Sequence, residues 1–379
     1  MFVKVRQWWK KGRTAFINQY RGLDKAILYS AFILIVCGFF LTLAASPAVA
    51  EKTGKPMFHF VFRQAFWIIP TIGVMIAMAI SPVRWIRRIA GIILLGGIIC
   101  MVYVMLFGIR IKGSARWMNI GPVGLQPSEF VKPTFAVVCA WLLASGRLMK
   151  KFPGYWLAFL LYGIVAFLLW KQPDFGMLLT VSAIFGAQLF LSGIPWWVVF
   201  GLGTLFLGIL PIAYLNLEHV RYRLDHFFGS GETEKMYQVE KALETLHNAG
   251  WFGKGPGEGI VKSELPDAHT DFILAVSAEE FGFILTALLI GVFAFIILRG
   301  FFLVRRENNY FCQIAVAGLL TQIAFQVIVN MGSTLNILPP KGMTLPFISY
   351  GGSSMVSVGL AFGFILGLMH NRTLSRGLE

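Results

Sequence analysis

Acidic residues are scarce in this chain of 379 residues, which has 18 Asp and Glu against 33 Lys and Arg. Charged residues make up only 13% of the sequence and hydrophobic residues 57%, whereas soluble domains carry roughly a quarter charged residues. This composition excludes an ordinary soluble protein. It predicts an all-α integral membrane protein whose apolar helices cross the bilayer.

Several signatures of soluble enzymes are also absent. The sequence contains no Asp-x-Asp, His-Glu-x-x-His or Gly-x-Ser-x-Gly motif, so a nucleotide-sugar donor held by a metal–carboxylate motif is unsupported. The glycine-rich stretch Gly250–Gly259 matches neither a dinucleotide fingerprint nor a Walker sequence, and we interpret it as backbone that passes close to a substrate. The four cysteines lie in apolar segments without metal-ligand spacing and predict small core residues; they are Cys37, Cys100, Cys139 and Cys312.

Long apolar segments recur along the whole sequence. A bilayer core needs about 20 apolar residues per helix. Ten segments reach or approach this length: 26–46, 60–80, 89–108, 127–145, 153–170, 175–191, 195–215, 272–298, 309–332 and 346–369. We therefore expect about ten transmembrane helices in one polytopic domain over 1–379, including a basic tail at 1–25. The segment 216–271 predicts one large loop between helices 7 and 8, with an amphipathic helix at Lys235–Asn248.

Basic residues are unevenly distributed between the two sides of these helices. With the N-terminus inside, 18 basic but only 3 acidic residues lie on the inner side, the basic ones all in 1–25, 84–88, 147–151, 299–306 and 372–376. That side carries the whole net charge of +15, as the positive-inside rule predicts. We expect both termini in the cytoplasm, a periplasmic 216–271 loop, contact with anionic membrane lipids and no binding to nucleic acid.

Polar residues on the predicted outer side form four clusters. The first, Lys112–Lys132, contains Arg116 and Trp117, which either anchor the chain in the membrane interface or receive an anionic headgroup. Glu129 and Lys132 follow the start of the fourth span with i, i+3 spacing, so they share a helix face and are predicted to pair. Such a pair is either a structural clip or part of the lining of a polar cavity.

The second cluster is the short connection between the fifth and sixth spans. Asp174 follows a proline and precedes an apolar run, which is typical of a helix N-cap. A cap is compatible with a substrate contact, and we count both Gln172 and Asp174 as candidate substrate-binding residues.

The third cluster closes the 216–271 loop, which carries the cations Arg221 and Lys262 and runs without a linker into an apolar span. The last polar residues before that span are His269, Thr270 and Asp271. They are expected at the boundary between membrane and water, where ionisable residues are functional candidates by default. Asp271 either caps the following helix or takes part in chemistry.

The fourth cluster is Asn330–Ser354. Lys341 lies in a predicted external turn, and the last span is expected to start at Pro346. The small or hydroxyl-bearing residues that then fall inside this span include Ser349, Gly351 and Gly352. They suit close helix packing or a helix opened around a polar cavity.

Four blocks of the sequence carry a resemblance to a known family. They are Gly113–Lys132, Gln172–Gly176, Leu265–Gly282 and Asn330–Ser354. In these blocks, and in its hydropathy profile over nearly the whole chain, the sequence resembles the SEDS family (shape, elongation, division and sporulation). The resemblance implies a ten-helix membrane glycosyltransferase that polymerises peptidoglycan from lipid II, the undecaprenyl-pyrophosphate-linked disaccharide peptide. The block Lys341–Ser354 is more similar to the division branch than to the elongation branch, which implies a multi-pass protein of the cytoplasmic (inner) membrane at the division septum.

The same resemblance implies roles for single residues and for partners. Asp271 matches the family's proposed catalytic carboxylate, while Glu129, Lys132 and Asp174 match polar residues that line its cavity. The implied partner is a single-pass class B penicillin-binding protein, a transpeptidase that cross-links the glycan, together with other membrane proteins of the division complex. No cofactor is firmly implied, and a divalent cation (Mg²⁺ or Mn²⁺) stays open.

The chemistry of lipid II agrees with these roles. Its sugar is α-linked to pyrophosphate and the polymer is β-linked, so the transfer inverts the anomeric centre. One carboxylate acting as general base on the acceptor hydroxyl is enough for inversion. The leaving pyrophosphate needs cations to stabilise its developing charge, and the candidates include Arg116, Lys132, Arg221, Lys262 and Lys341.

The sequence leaves three alternatives to this polymerase function open. A lipid II flippase would use the intramembrane polar residues Glu129, Lys132, Glu279 and Glu280, but a carrier should show repeat symmetry, and 1–190 does not resemble 190–379. A non-catalytic scaffold of the division machinery gives Asp271 no role. An elongation-type polymerase differs from the division type mainly at Lys341–Ser354.

Overall fold

The computed structural model describes residues 22–108, 110–111, 114–121, 123–149, 151–194, 249–259, 265, 268–338 and 342–369, and isolated positions between 197 and 245. Nine helices lie in these ranges: α1 (Lys25–Lys52), α2 (His59–Ala79), α3 (Val83–Phe107), α4 (Pro127–Leu148), α5 (Gly154–Lys171), α6 (Phe175–Leu191), α7 (Ile273–Val304), α8 (Tyr310–Thr334) and α9 (Gly352–Met369). Eight are long and apolar enough to cross a membrane, and α6, with 17 residues, is shorter. The prediction of an all-α membrane protein is confirmed. Most of the predicted span 195–215 and of the predicted amphipathic helix Lys235–Asn248 falls outside the described residues.

Helices α1 and α7 are joined at one end of the bundle. The Asp24 carboxylate caps α1 by accepting from the main-chain nitrogen of Ile27 at 3.0 Å. The same carboxylate accepts from Nε and Nη2 of Arg299 on α7, at 2.9 and 2.8 Å. This contact places the start of α1 and the end of α7 on the same side, in agreement with the charge-based assignment of Asp24 and Arg299 to the cytoplasmic side.

Helix α9 packs against α2 through small residues. A Cβ atom added to Gly352 would lie 2.2 Å from the Trp67 ring, and one added to Gly359 would lie 2.8 Å from Cγ2 of Thr71. The missing side chains therefore let the two helices approach closely. Close packing, one of the two interpretations of this stretch, is what the structure shows for Gly352.

The predicted start of the last span at Pro346 is wrong. Residues 346–348 form a turn, residue 349 is in a bend, and α9 begins only at Gly352, so Ser349 and Gly351 lie before the helix. Phe347 has a φ of 63°, which a helix cannot contain. The main-chain nitrogen of Tyr350 donates to the carbonyl of His269 at 2.9 Å, so a tertiary contact replaces the helical hydrogen bond.

The predicted span 272–298 corresponds to α7, which is broken at Gly282, where φ and ψ are 87° and 173°. The glycine-rich stretch fills the break. Lys254 donates from its main-chain nitrogen to the carbonyl of Glu279 at 2.8 Å, and Phe283 donates to the carbonyl of Gly250 at 3.0 Å. A break inside an apolar layer is tolerated only where neighbouring groups satisfy the freed backbone. The backbone of the glycine-rich residues 250–255 therefore passes close to α7.

Two small antiparallel hairpins precede α4. Strand β1 (Arg110–Ile111) pairs with β2 (Ser114–Ala115), and β3 (Met118–Ile120) pairs with β4 (Val123–Leu125). The sequence did not predict these strands. They position Arg116 and Trp117 in the link between the two hairpins, directly before α4.

Candidate functional site

Residues 269–271, here called the Asp271 segment, accept three hydrogen bonds at their consecutive main-chain carbonyls. The carbonyl of His269 accepts from the main-chain nitrogen of Tyr350 at 2.9 Å. The carbonyl of Thr270 accepts from Oγ of Ser349 at 2.6 Å, and that of Asp271 accepts from Nδ2 of Asn330 at 3.0 Å. All three carbonyls lie before α7 and accept these bonds from other segments of the chain, as buried main-chain groups require. The backbone that carries the Asp271 carboxylate is therefore held by α8 and by residues 349–350.

The Asp271 segment lies against residues 342–350. Ser349 accepts from the main-chain nitrogen of Leu345 at 2.8 Å while it donates to Thr270. A Cβ atom added to Gly342 would lie 3.6 Å from Oδ2 of Asp271. Gly342, which has a φ of 66°, therefore borders the carboxylate itself. The structure brings together Thr270, Asp271 and Ser349, which the sequence had placed in two separate clusters.

The alternative role of Asp271 as a helix cap finds no support in the bounds of α7. The N-cap position of α7 is Phe272, which makes no side-chain capping bond. Asp271 lies one residue earlier, and its side chain is only half-buried.

His269 is held in an aromatic cluster rather than in open solvent. Its ring centroid lies 4.6 Å from that of Phe60 and 5.1 Å from that of Tyr350. Nζ of Lys55 lies 5.2 Å from the Phe60 centroid, a cation–π distance. Sequence reasoning missed Lys55 and Phe60, because they lie more than 200 positions earlier in the chain and carry no recognisable motif.

A buried ion pair lies in α4. Nζ of Lys132 is 2.9 Å from Oε2 of Glu129, and the lysine side chain is fully buried. The predicted pairing is therefore confirmed. Ser357 of α9 donates from Oγ to the main-chain carbonyl of Glu129 at 2.7 Å, which ties the pair to the helix that follows the 342–350 segment.

Asp174 is the centre of the second predicted cluster. Its Oδ1 accepts from the main-chain nitrogen of Met177 at 3.4 Å and lies 3.5 Å from Nη1 of Arg116. Asp174 thus caps α6, as predicted, and pairs with a cation 58 positions earlier. Burial raises the pKa of the Asp174 carboxyl, and the Arg116 guanidinium opposes this rise. Glu129 and Lys132 also act electrostatically on Asp174, so these four charged side chains form one group.

The remaining predicted site residues differ in their surroundings. Gln172 is buried and donates from Nε2 to the carbonyl of Met101 at 2.8 Å, which ties the end of α5 to α3. Trp117 has 41% of its surface exposed and is accessible to a ligand. Arg221, Lys262 and Lys341 lie outside the described residues. In the described part of the chain, no three His, Cys, Asp or Glu residues come together as a metal site would require.

Comparison with known proteins identifies the family. Residues 24–374 match the model of the FtsW/RodA/SpoVE family, described as a cell cycle protein. The chain is 39% identical over 361 residues to a probable peptidoglycan glycosyltransferase FtsW of Caulobacter vibrioides, covering 95% of this chain and 92% of the relative. It is 33% identical over 384 residues to the protein of the same name from Halothiobacillus neapolitanus, covering 94% and 88%.

Solved structures are also similar to most of this chain. One, described as a peptidoglycan synthase complex that coordinates polymerization and crosslinking, matches with a TM-score of 0.76 and 25% identity over 93% of this chain and 98% of that chain. A mutant of the Thermus thermophilus rod shape determining protein RodA matches with a TM-score of 0.69 and 25% identity over the same shares. The prediction of a division-type peptidoglycan glycosyltransferase is confirmed by the relatives, which carry the division-type name FtsW. This chain belongs to the FtsW/RodA/SpoVE family, which is the SEDS family that its sequence resembles.

Proposed function

We propose that this protein polymerises lipid II into glycan strands at the outer face of the cytoplasmic membrane, with Asp271 as the general base. The observation that carries the proposal is the fixed Asp271 backbone. Three bonds hold the carbonyls of residues 269–271, while the carboxylate borders Gly342. A base that is held before the substrate arrives loses little entropy in the reaction, and such preorganisation contributes strongly to rate.

The proposed step is a single displacement with inversion. The Asp271 carboxylate takes the proton of the acceptor sugar hydroxyl as the hydroxyl oxygen forms a bond to the anomeric carbon of the donor. The bond between that carbon and the pyrophosphate oxygen breaks, and its electron pair leaves with the undecaprenyl pyrophosphate. One proton and one glycosyl group are transferred, so no further reactant is needed.

Lys132 and Arg116 are the cations proposed to lie near the substrate. Lys132 and Arg116 each have a carboxylate partner, Glu129 and Asp174, at 2.9 and 3.5 Å. An incoming pyrophosphate would share these cations, since each lysine or arginine has more than one donor hydrogen. Arg221, Lys262 and Lys341 are proposed as additional phosphate ligands, and Trp117 as an apolar surface for a sugar ring. Gln172, Ser349, Gly351 and Gly352 are proposed to shape the wall of the cavity.

The described residues contain no group of three or more His, Cys, Asp or Glu that could hold a metal ion. The sequence leaves a requirement for Mg²⁺ or Mn²⁺ open. In phosphate-transfer sites, such an ion is held by substrate oxygens and one or two carboxylates. Polymerisation with EDTA, followed by addition of each ion, tests that requirement.

The proposed partner is a class B penicillin-binding protein within the septal division complex of the inner membrane. The similar solved structure couples polymerization to crosslinking, which supports such a pairing for this chain. Co-purification of the two membrane proteins from detergent tests it.

Gel analysis of lipid II incubated with the purified protein and its partner tests the proposed function. A ladder of glycan polymer is expected. Transfer of labelled lipid II across a liposome membrane without polymer would favour the flippase instead.

A further inference from the structure

Asn330 of α8 bridges two segments of the candidate site. Its side chain is buried, and Nδ2 donates to the main-chain carbonyl of Asp271 at 3.0 Å and to that of Met343 at 2.8 Å. Both amide hydrogens are therefore used. Because the two carbonyl oxygens lie at these distances from one nitrogen, their separation cannot exceed the sum of the two distances. Asn330 thus limits the gap between the Asp271 segment and the 342–350 segment.

Both carbonyls lie outside the helices. Asp271 lies two residues before the first residue of α7, and Met343 lies in an irregular stretch before α9. Burying a carbonyl without a hydrogen bond is unfavourable, most of all in apolar surroundings. Loss of the Asn330 amide would remove both hydrogen bonds, so the two segments would be free to move relative to each other.

Such a movement would change the surroundings of the Asp271 carboxylate. Gly342 is the neighbour of Met343, and a Cβ atom added to it would lie 3.6 Å from Oδ2 of Asp271. One amide therefore fixes both the backbone that carries the carboxylate and the segment that borders its oxygen.

We propose that Asn330 is a positioning residue for glycosyl transfer, which holds the Asp271 carboxylate at a fixed place against the segment that contains Gly342. This inference rests on the proposed role of Asp271 as general base. A misplacement of about 1 Å in a reacting group costs about 100-fold in rate. Substrate affinity depends on many other contacts, so loss of the amide acts on kcat and leaves KM near the wild-type value.

The test compares two buried amides of the same helix. Asn330→Leu removes both donor hydrogens at similar side-chain volume. Gln322→Leu is the matched control, because Gln322 lies two turns earlier on α8, is fully buried, and has neither amide atom hydrogen-bonded. Each variant is purified with the partner protein, its melting temperature is measured, and lipid II polymerisation is followed over a range of substrate concentrations. We expect about a 100-fold lower kcat with unchanged KM for Asn330→Leu, and wild-type values for the control.

Several results would overturn the proposal. They are a wild-type kcat in folded Asn330→Leu, a loss confined to KM, and an equal loss of kcat in Gln322→Leu. If Asn330→Leu does not fold, Asn330→Ser, which keeps one donor hydrogen, replaces it, and an intermediate kcat is expected. Failure of both variants to fold while the control folds would assign Asn330 to folding alone. Absence of polymer from the wild-type complex would instead contradict the proposed function, and a wild-type rate in Asp271→Asn would contradict the role of the base.

Discussion

Lys132 and Glu129 form a 2.9 Å ion pair within the first turns of α4, and the lysine side chain is completely buried. A buried lysine is unfavourable unless its charge is compensated. The main-chain carbonyl of Glu129 is also bonded to Ser357 of α9, so the pair lies where two membrane helices meet. A change to the Glu129–Lys132 pair therefore alters both the stability of the protein and the charge of the candidate site.

Removing one partner of this pair should destabilise the protein more than removing both. Glu129→Ala or Lys132→Ala leaves an uncompensated buried charge, at a cost of about 3–5 kcal/mol, whereas the double substitution leaves none. Unfolding in detergent of the wild type, both single variants and the double variant gives the coupling free energy. Additive losses across this cycle would argue against a direct interaction.

The glycine-rich stretch docks into the break in α7. This contact predicts that alanine substitutions at two of its glycines will lower the melting temperature by different amounts. Gly253 and Gly257 have φ values of 76° and 88°, so alanine is conformationally unfavourable at both positions. A Cβ atom at Gly253 would lie 2.3 Å from the carbonyl of Glu280, whereas nothing lies within 4 Å of one at Gly257. Gly253→Ala should therefore lower the melting temperature clearly more than Gly257→Ala. Equal shifts would mean that the stretch does not dock at the break.

The charge distribution predicts that the 216–271 loop is periplasmic. An impermeant maleimide applied to intact spheroplasts should label Ser230→Cys. Lys151→Cys is the matched control, because Lys151 is exposed and is assigned to the cytoplasmic side, so it should react only after lysis. The reverse pattern would overturn the topology and the proposed outer-face chemistry.

Local sequence signals predicted the helices well, because the thickness of the bilayer sets their length. The span expected at 60–80 is α2, His59–Ala79, and the one expected at 309–332 is α8, Tyr310–Thr334. The break at Gly282 was missed for a physical reason. A single glycine in an apolar run is common, and this break depends on hydrogen bonds from Gly250–Gly255, a partner that the pattern of the span itself does not reveal.

The candidate site shows the same division between local and distant contacts. The Glu129–Lys132 pair and the Asp174 cap were predictable, since helix geometry brings together residues three or four positions apart. The contact between Asn330 and Asp271 joins residues 59 positions apart. Such contacts depend on how the helices pack, which the spacing of residues in one segment does not encode.

The role of Asp271 as general base is tested by the rate of lipid II polymerisation by Asp271→Asn purified with its partner. Asparagine keeps the shape of the side chain but cannot accept the proton, so a rate about 10²–10⁴-fold below wild type is expected at an unchanged melting temperature. Phe272, not Asp271, occupies the N-cap position of α7, so loss of a helix cap would not explain such a result. A stable Asp271→Asn protein that polymerises lipid II at the wild-type rate would show that Asp271 is not the general base.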